Sequence, residues 1–301
     1  MIKFDIIGKR KYWYSLSALV IGACLAAMLI YGFNLGIDFK EGALIELNFE
    51  GERPTIESLQ GVLEAQELEG GQVVYLGEEN VLMRTEPLDP EKHNALLAAF
   101  DESFTAEAYS EERFETIGPT ISEELRRKSI NMAVGVIFAI IVYLTWVFRS
   151  VSKPVASWKY GVIAVMALIH DVIVPAGVFA YLGQFLGVQI DTLFVTAMLT
   201  VMGFSVHDTI VVFDMVRETI SDGATSFEKA VNDSVNQTLS RSINTSLTTL
   251  VVLAAIYFLG GESVRYFSLA MMIGIVTGTY SSIFFASPLL VSWYNRQYKR
   301  S

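Results

Sequence analysis

Six long apolar runs divide the chain, and each is long enough to cross a lipid bilayer as a helix. They cover residues 12–33, 129–148, 159–181, 191–213, 242–260 and 267–292. A membrane-spanning helix needs about 20 mostly apolar residues. The last two runs are separated only by the short polar turn GGESVR. The pattern therefore predicts six transmembrane helices.

Between the first two runs, residues 34–128 show the shorter periodicities of a small α+β domain. ALIELNF, QVVYLG, NVLMRT and RFETIGP predict strands, the middle two being joined by GEE as in a hairpin. PTIESLQGVLEAQEL and DPEKHNALLAAFDES predict helices. The order β-α-β-β-α-β is the ferredoxin-like, or split βαβ, arrangement. The predicted fold class is thus a multi-pass α-helical membrane protein with one extracytoplasmic ferredoxin-like domain between helices 1 and 2.

Composition agrees with a membrane protein and excludes nucleic-acid binding. The chain of 301 residues is 52% hydrophobic, with a mean hydropathy of +0.43, which is too apolar for an ordinary soluble protein. Of its 32 Asp and Glu residues, 22 lie between Asp38 and Glu124, so the α+β domain is acidic, whereas nucleic acids need clustered Lys and Arg. The single cysteine, Cys24, allows no internal disulfide and is expected to be a plain membrane-helix residue.

Positive charge in the short loops predicts the orientation, since cytoplasmic loops carry an excess of Lys and Arg. The loop 182–190 has none, and the loop 261–266 has one. We therefore expect both termini in the cytoplasm, with 1–33 as N-terminus and first helix, 34–128 outside, 129–293 as a five-helix transmembrane domain and 294–301 as a cytoplasmic tail. The other loops and the termini contain Lys3, Lys9, Arg10, Lys11, Arg149, Lys153, Lys159, Arg217, Lys229, Arg241, Arg296, Lys299 and Arg300.

One carboxylate stands out because it lies inside an apolar run. Asp208 belongs to GFSVHDTIVVFD, six residues before Asp214, which is expected to mark the membrane boundary. An ionised Asp at the bilayer centre costs roughly 2.5–3.5 kcal/mol on the lenient insertion scale. Arg241 opens the fifth run, and its long side chain can reach inward to the same depth. A carboxylate balanced between a cation and desolvation can exchange a proton. An ion-coupling relay is one interpretation, and a static ion pair is the alternative.

The remaining polar groups in the runs are candidates for weaker roles. His170 and Asp171 form either a satisfied interhelical network or a site, and His207 directly precedes Asp208, about 100° away around the helix. An aspartic protease would need two carboxylates about 3 Å apart, and Asp171 lies at another depth, so we expect no enzyme and no metal site. Gly274 and Gly278 fit small-xxx-small packing. Ser205 and Thr209 are further polar groups in the runs, and interhelical hydrogen bonds are expected from Asn244, Thr245, Thr248 and Thr249.

Six motifs in order resemble the SecF family, accessory subunits of the bacterial Sec export machinery within the resistance-nodulation-division superfamily. They are FNLGIDFKEGALIEL, IGPTISEEL, ALIHDVIV, GFSVHDTIVVFDMVRE, NQTLSRSINTSLTTL and YFLGGESVRYFSLAMMIGIVTGTYSSIF. The resemblance covers nearly the whole chain. It implies a bacterial inner-membrane protein that works with SecD and the SecYEG translocon, without a cofactor, to complete export of unfolded preproteins. It implies protons as the coupling ion, or sodium in some members.

The same resemblance assigns ion coupling to Asp208 and Arg241 and leaves a second essential carboxylate to SecD. The polar residues in the apolar runs add candidate modulators of that relay, namely His207, His170, Asp171, Asn244 and Thr248. A stand-alone proton-driven exporter half for lipids or small hydrophobes, and a structural assembly factor, remain alternatives.

Four positions depart from the family pattern. Lys40 and Glu41 stand where the pattern has a small polar residue and a glycine, and Glu41 puts that turn in question because a residue with a Cβ tolerates positive φ poorly. His207 replaces an amide, and Met215 replaces an arginine.

Overall fold

The computed structural model describes residues 4–51, 53–68, 71–77, 79–104, 109–147, 149 and 155–298. They form two compact units, one of residues 1–34 with 131–301 and one of residues 35–130. Four charged residues of the predicted positive loops and termini lie outside the described residues, namely Lys3, Lys153, Lys299 and Arg300, as does Glu78 of the predicted hairpin turn. The strands are β1 (Gly42–Phe49), β2 (Gln72–Leu76), β3 (Asn80–Thr85) and β4 (Tyr109–Ile117). The helices are α1 (Arg10–Tyr31), α2 (Ile37–Lys40), α3 (Ile56–Ala65), α4 (Pro90–Phe104), α5 (Pro119–Val147), α6 (Ser157–Leu186), α7 (Thr192–Ser221), α8 (Phe227–Leu259), α9 (Glu262–Tyr280) and α10 (Ser287–Tyr298).

Among the described residues, six helical segments are long and apolar enough to cross a membrane, so the predicted multi-pass fold is confirmed. They are α1, α5, α6, α7, α8 and a continuous segment made of α9 and α10. A π-helical stretch, Ser281–Ala286, joins the two parts of the last segment. Two helices begin well before their apolar runs: α5 begins at Pro119 and α8 at Phe227. The first turns of α8 bury Phe227, Ala230 and Val231, a spacing of three and four residues that continues the helix beyond its apolar run.

Small residues bring the membrane helices close together, as the small-xxx-small pattern predicted. A Cβ placed on Gly274 of α9 would lie 2.4 Å from Val201 Cγ2 of α7, and one on Gly278 would lie 3.0 Å from Ser205 Cβ. Gly177 of α6 is similarly packed against the buried Cys24 of α1. Backbones can approach this closely only where a side chain is missing. The contact between α7 and α9 fixes the position of the polar groups described below.

The second unit has the predicted β-α-β-β-α-β order. Its sheet has the strand order β2-β3-β1-β4 with every neighbouring pair antiparallel, which is the split βαβ topology. The alternate positions Ile45, Leu47 and Phe49 of β1 are buried against Leu59 of α3 and Phe100 of α4. This face forms the core of the domain, because successive strand residues point to opposite faces of the sheet.

The turn between α2 and β1 has the positive φ angle at Glu41 that a residue with a Cβ tolerates poorly. Glu41 has φ 48°, and the following Gly42 has φ 146°. A non-glycine residue at positive φ is held there at a cost of order 1–3 kcal/mol. The chain thus keeps the turn although Glu41 occupies a position that favours glycine.

Candidate functional site

Asp208 lies on the face of α7 that packs against α8, and it is 4% exposed. Its Oδ1 accepts a long hydrogen bond of 3.5 Å from Ser242 Oγ of α8. Its Oδ2 is buried and has no hydrogen-bond partner among the residues that the structure describes. A buried carboxylate normally has its oxygens satisfied by donors or by a cation. Asp208 therefore has an incomplete set of partners.

Arg241 does not make the direct contact with Asp208 that the sequence led us to expect. Within the described ranges, no ion pair of 4.0 Å or less joins the two residues. Arg241 is exposed on the surface of the chain, whereas its neighbour Ser242 points inward. Consecutive helix residues are about 100° apart, so only one of the two can face α7. The residue that contacts the carboxylate is the serine.

Other hydroxyl groups continue along the interface next to Asp208. Ser246, one helical turn after Ser242, pairs with Thr279 of α9 at 2.5 Å between their oxygens. Thr279 Oγ1 also donates to the carbonyl of Ile275. Hydroxyl groups can both donate and accept a hydrogen bond. The interface of α7, α8 and α9 therefore carries a row of hydroxyl groups that begins at the carboxylate of Asp208. Each of these groups can rotate and can donate or accept a hydrogen bond.

A second carboxylate, Asp171 of α6, has the opposite character. It is fully buried, and it accepts hydrogen bonds from Ser205 Oγ of α7 and, at 2.7 Å, from Ser281 Oγ of the π-helical segment. His170 Nδ1 lies 3.0 Å from Asp171 Oδ1, and the histidine ring stacks near Tyr280 and Phe285. These contacts join α6, α7 and the last membrane segment. They favour the interpretation of His170 and Asp171 as an interhelical polar network.

The serines of the π-helical segment belong to this network and were missed in the sequence. Ser281 binds Asp171, and Ser282 pairs with Thr209 of α7 at 2.9 Å. Single π turns widen a helix and occur often at functional sites. The pair SS inside an apolar run was the available signal, since adjacent polar residues are uncommon in a membrane span.

The structure leaves three other predicted residues on the outer surface of the chain. His207, Asn244 and Thr248 are exposed, and Thr248 Oγ1 donates to the carbonyl of Thr245 in its own helix. His207 therefore faces away from the helix interface that holds Asp208. Within the described residues, no group of three or more His, Cys, Asp or Glu side chains could hold a metal ion.

Comparison with known proteins gives the class of protein to which this arrangement belongs. Residues 98–296 match the family described as "Protein export membrane protein SecD/SecF, C-terminal". The chain therefore belongs to the SecD/SecF family, a class of multi-pass membrane proteins.

Within that family, its full-length relatives carry the name protein translocase subunit SecF. The relative from Thermobaculum terrenum is 42% identical, with 98% of this chain and 96% of the relative covered. The relative from Anaerolinea thermophila is 37% identical over the same shares. The crystal structure of SecDF from Thermus thermophilus, described as a translocon-associated membrane protein, matches with a TM-score of 0.84 at 34% identity. That match covers 98% of this chain but 39% of the SecDF chain.

Proposed function

We propose that this chain is a SecF-type subunit of the Sec preprotein translocase, working with a SecD partner in the bacterial inner membrane. In this role it uses the proton-motive force to promote the late stage of preprotein export, with both termini in the cytoplasm. The names of its relatives support the translocase role. The partner is supported by SecDF, in which a similar sequence makes up 39% of a longer chain.

The observation that supports the proposed ion coupling is the incomplete hydrogen bonding of Asp208. One of its oxygens has a single long bond, and the other has no partner among the described side chains. A proton bound to this carboxylate removes the charge that the fold leaves uncompensated. Movement of α8 relative to α7 would change the distance to Ser242. Binding and release of the proton would then be linked to a change of helix packing.

The exposed polar face of α8 supports a protein partner in the membrane. Arg241, Asn244 and Thr248 follow one another at helical spacing and face out of the chain. Charged residues inside membrane spans face a protein interior or a water-filled cavity rather than lipid. A SecD partner would cover this face and bring the second carboxylate that the family resemblance implies. The SecYEG translocon, the unfolded preprotein and membrane lipid are the other proposed partners, and a proton or sodium ion is the only small ligand required.

Preprotein translocation into inverted membrane vesicles tests the proposal. The vesicles contain this chain, its SecD partner and SecYEG, and export is followed with ATP in the presence and absence of a proton gradient. We expect Asp208→Asn and Arg241→Met to lose the stimulation by the gradient and to keep the ATP-driven step. Asp214→Asn, six residues further along the same helix at an exposed position, is the matched control and keeps the stimulation.

Two outcomes would contradict the proposal. Gradient-stimulated export in both Asp208→Asn and Arg241→Met would exclude the relay. Full activity in vesicles without SecD, together with gradient-driven movement of lipid, would favour a stand-alone exporter instead.

A further inference from the structure

A cavity at one end of the membrane helices is separate from both carboxylates. It has a volume of 310 Å³ and lies between α6 and α10. This volume is at the lower end of the range of about 300–1,000 Å³ for small-molecule sites. Its lining consists of Met166, Leu289, Ser292, Trp293 and Arg296.

The lining changes from charged to apolar along the helix axis. Arg296 lies near the end of α10, while Leu289 lies seven residues earlier, about 10 Å deeper at 1.5 Å per residue. Met166 is likewise seven residues inward from Lys159, in the first turn of α6. The cavity therefore has one cationic end at the helix termini and one apolar end within the membrane. This is the polarity of a phospholipid, with a headgroup at the surface and acyl chains inside.

Two cations at the outer end have no carboxylate partner among the described residues. Arg296 is exposed and takes part in none of the ion pairs found there. Lys159 is 7% exposed, and its Nζ donates to Gln297 Oε1. The nearby carboxylate of Glu228 is bonded to Asn295 and paired with Arg10. The outer end of the cavity thus has positive charge that no carboxylate among the described residues neutralises.

Two tryptophan rings, Trp158 and Trp293, lie next to Lys159 at the charged end of the cavity. Lys159 Nζ lies 5.8 Å from the ring centroid of Trp158 and 5.7 Å from that of Trp293. The two rings meet edge to face, with centroids 5.5 Å apart. Tryptophan is enriched at the headgroup level of membranes, and the rings attract a cation. Trp293 also lines the cavity, so the charged end and the apolar end belong to one continuous surface.

We propose that this cavity binds one anionic phospholipid of the surrounding leaflet, its phosphate contacting Arg296 and Lys159 and one acyl chain lying along Met166, Leu289 and Trp293. The orientation predicted from the Lys and Arg bias places it in the cytoplasmic leaflet. Basic pockets between membrane helices on that side are suited to anionic headgroups. The site would anchor α10 to α6 without any role for Asp208.

Lipid retention by the purified full-length chain tests this site. The chain is equilibrated with equal amounts of phosphatidylglycerol and phosphatidylcholine, and bound lipids are counted by native mass spectrometry. We expect one tightly retained phosphatidylglycerol. Because each cation near an anionic surface contributes about 1 kcal/mol, Arg296→Gln should weaken retention about fivefold. Adding Lys159→Gln should weaken it about 25-fold in total.

Two further variants separate the headgroup from the acyl chain and from general surface charge. Arg217→Gln removes an exposed cation at the end of α7 and should leave retention unchanged. Met166→Trp fills the apolar end without changing charge and should also weaken retention. Equal retention of the two lipids, or an equal loss in Arg217→Gln and Arg296→Gln, would overturn the proposal. Displacement of the lipid by millimolar inorganic phosphate, with Met166→Trp unaffected, would show a soluble-phosphate site instead.

Discussion

The two buried carboxylates of the membrane helices are nearly equally shielded but differ in their partners. Asp171 is fully buried and has His170, Ser205 and Ser281 as hydrogen-bond partners. Asp208 is 4% exposed, its Oδ1 accepts the 3.5 Å bond from Ser242, and its Oδ2 has no partner among the described residues. A carboxylate with several donors is stabilised in one geometry, whereas a poorly satisfied one gains from a proton or from a new partner. The difference in partners is consistent with a structural role for Asp171 and with the proposed proton exchange at Asp208.

The largest effect on stability is expected from Asp171→Asn. Both serine hydroxyls donate to Oδ2 and the His170 ring contacts Oδ1, so an amide, which has one oxygen and one nitrogen, removes the negative charge and one of the two acceptor atoms. Breaking a buried charged network typically costs about 3–5 kcal/mol. The single cysteine, Cys24, is buried and can report unfolding through its reaction with a thiol-specific dye during heating. Asp208→Asn should unfold close to the wild-type temperature, and an equal fall for both variants would remove the distinction between the two carboxylates.

A smaller loss of stability is expected when a substitution pushes α9 away from α7. In Gly274→Ala the new Cβ would lie 2.4 Å from Val201 Cγ2, so one helix must shift. Overpacking of this kind costs about 1–3 kcal/mol, and it also strains the bond from Ser205 to Asp171. The reaction of Cys24 with the thiol-specific dye during heating measures this loss of stability. Gly203→Ala is the control, because nothing lies within 4 Å of its Cβ position; a similar loss in that variant would show that the contact is unimportant.

The smallest expected effects on stability are those of two serine-to-alanine variants, one at each carboxylate. Ser281→Ala removes a 2.7 Å bond to Asp171 and should cost about 1.5–3 kcal/mol, as for a hydrogen bond to a charged group. Ser242→Ala removes only the 3.5 Å bond to Asp208 and should cost under about 1 kcal/mol. Thermal unfolding of the pair in the same detergent gives the difference. If Ser242→Ala were the more damaging variant, Asp208 would be as firmly bound as Asp171.

Much of the fold follows from periodicity in the sequence. The six apolar runs predicted the spans, and the alternation in ALIELNF predicted the strand β1. The early starts of α5 and α8 were not predicted, because amphipathic turns such as Phe227–Val231 carry too little apolar character for a membrane-span pattern. The buried spacing of Phe227, Ala230 and Val231 was nevertheless a helical signal.

The site was predictable in part. Asp208 was identified by the cost of a carboxylate in lipid, and its contact Ser242 lies at the start of the apolar run of α8. Its immediate partner was not predicted, since the choice between Arg241 and Ser242 depends on a rotation of 100° about the axis of α8. Ser281 was missed because the π-helical turn that directs it toward Asp171 has no periodic signature in the sequence. The roles of Asp208 and Arg241 in ion coupling stay predictions.

The most direct test of the central claim is to observe which carboxylate exchanges a proton. Infrared difference spectra of the full-length chain with its SecD partner, recorded as the pH is stepped, report the carbonyl band of protonated carboxyl groups. We predict a titrating band that is absent in Asp208→Asn and retained in Ser281→Ala and in Asp214→Asn. A titrating band that persists in Asp208→Asn and disappears or shifts in Ser281→Ala would assign the exchange to Asp171 and contradict the account.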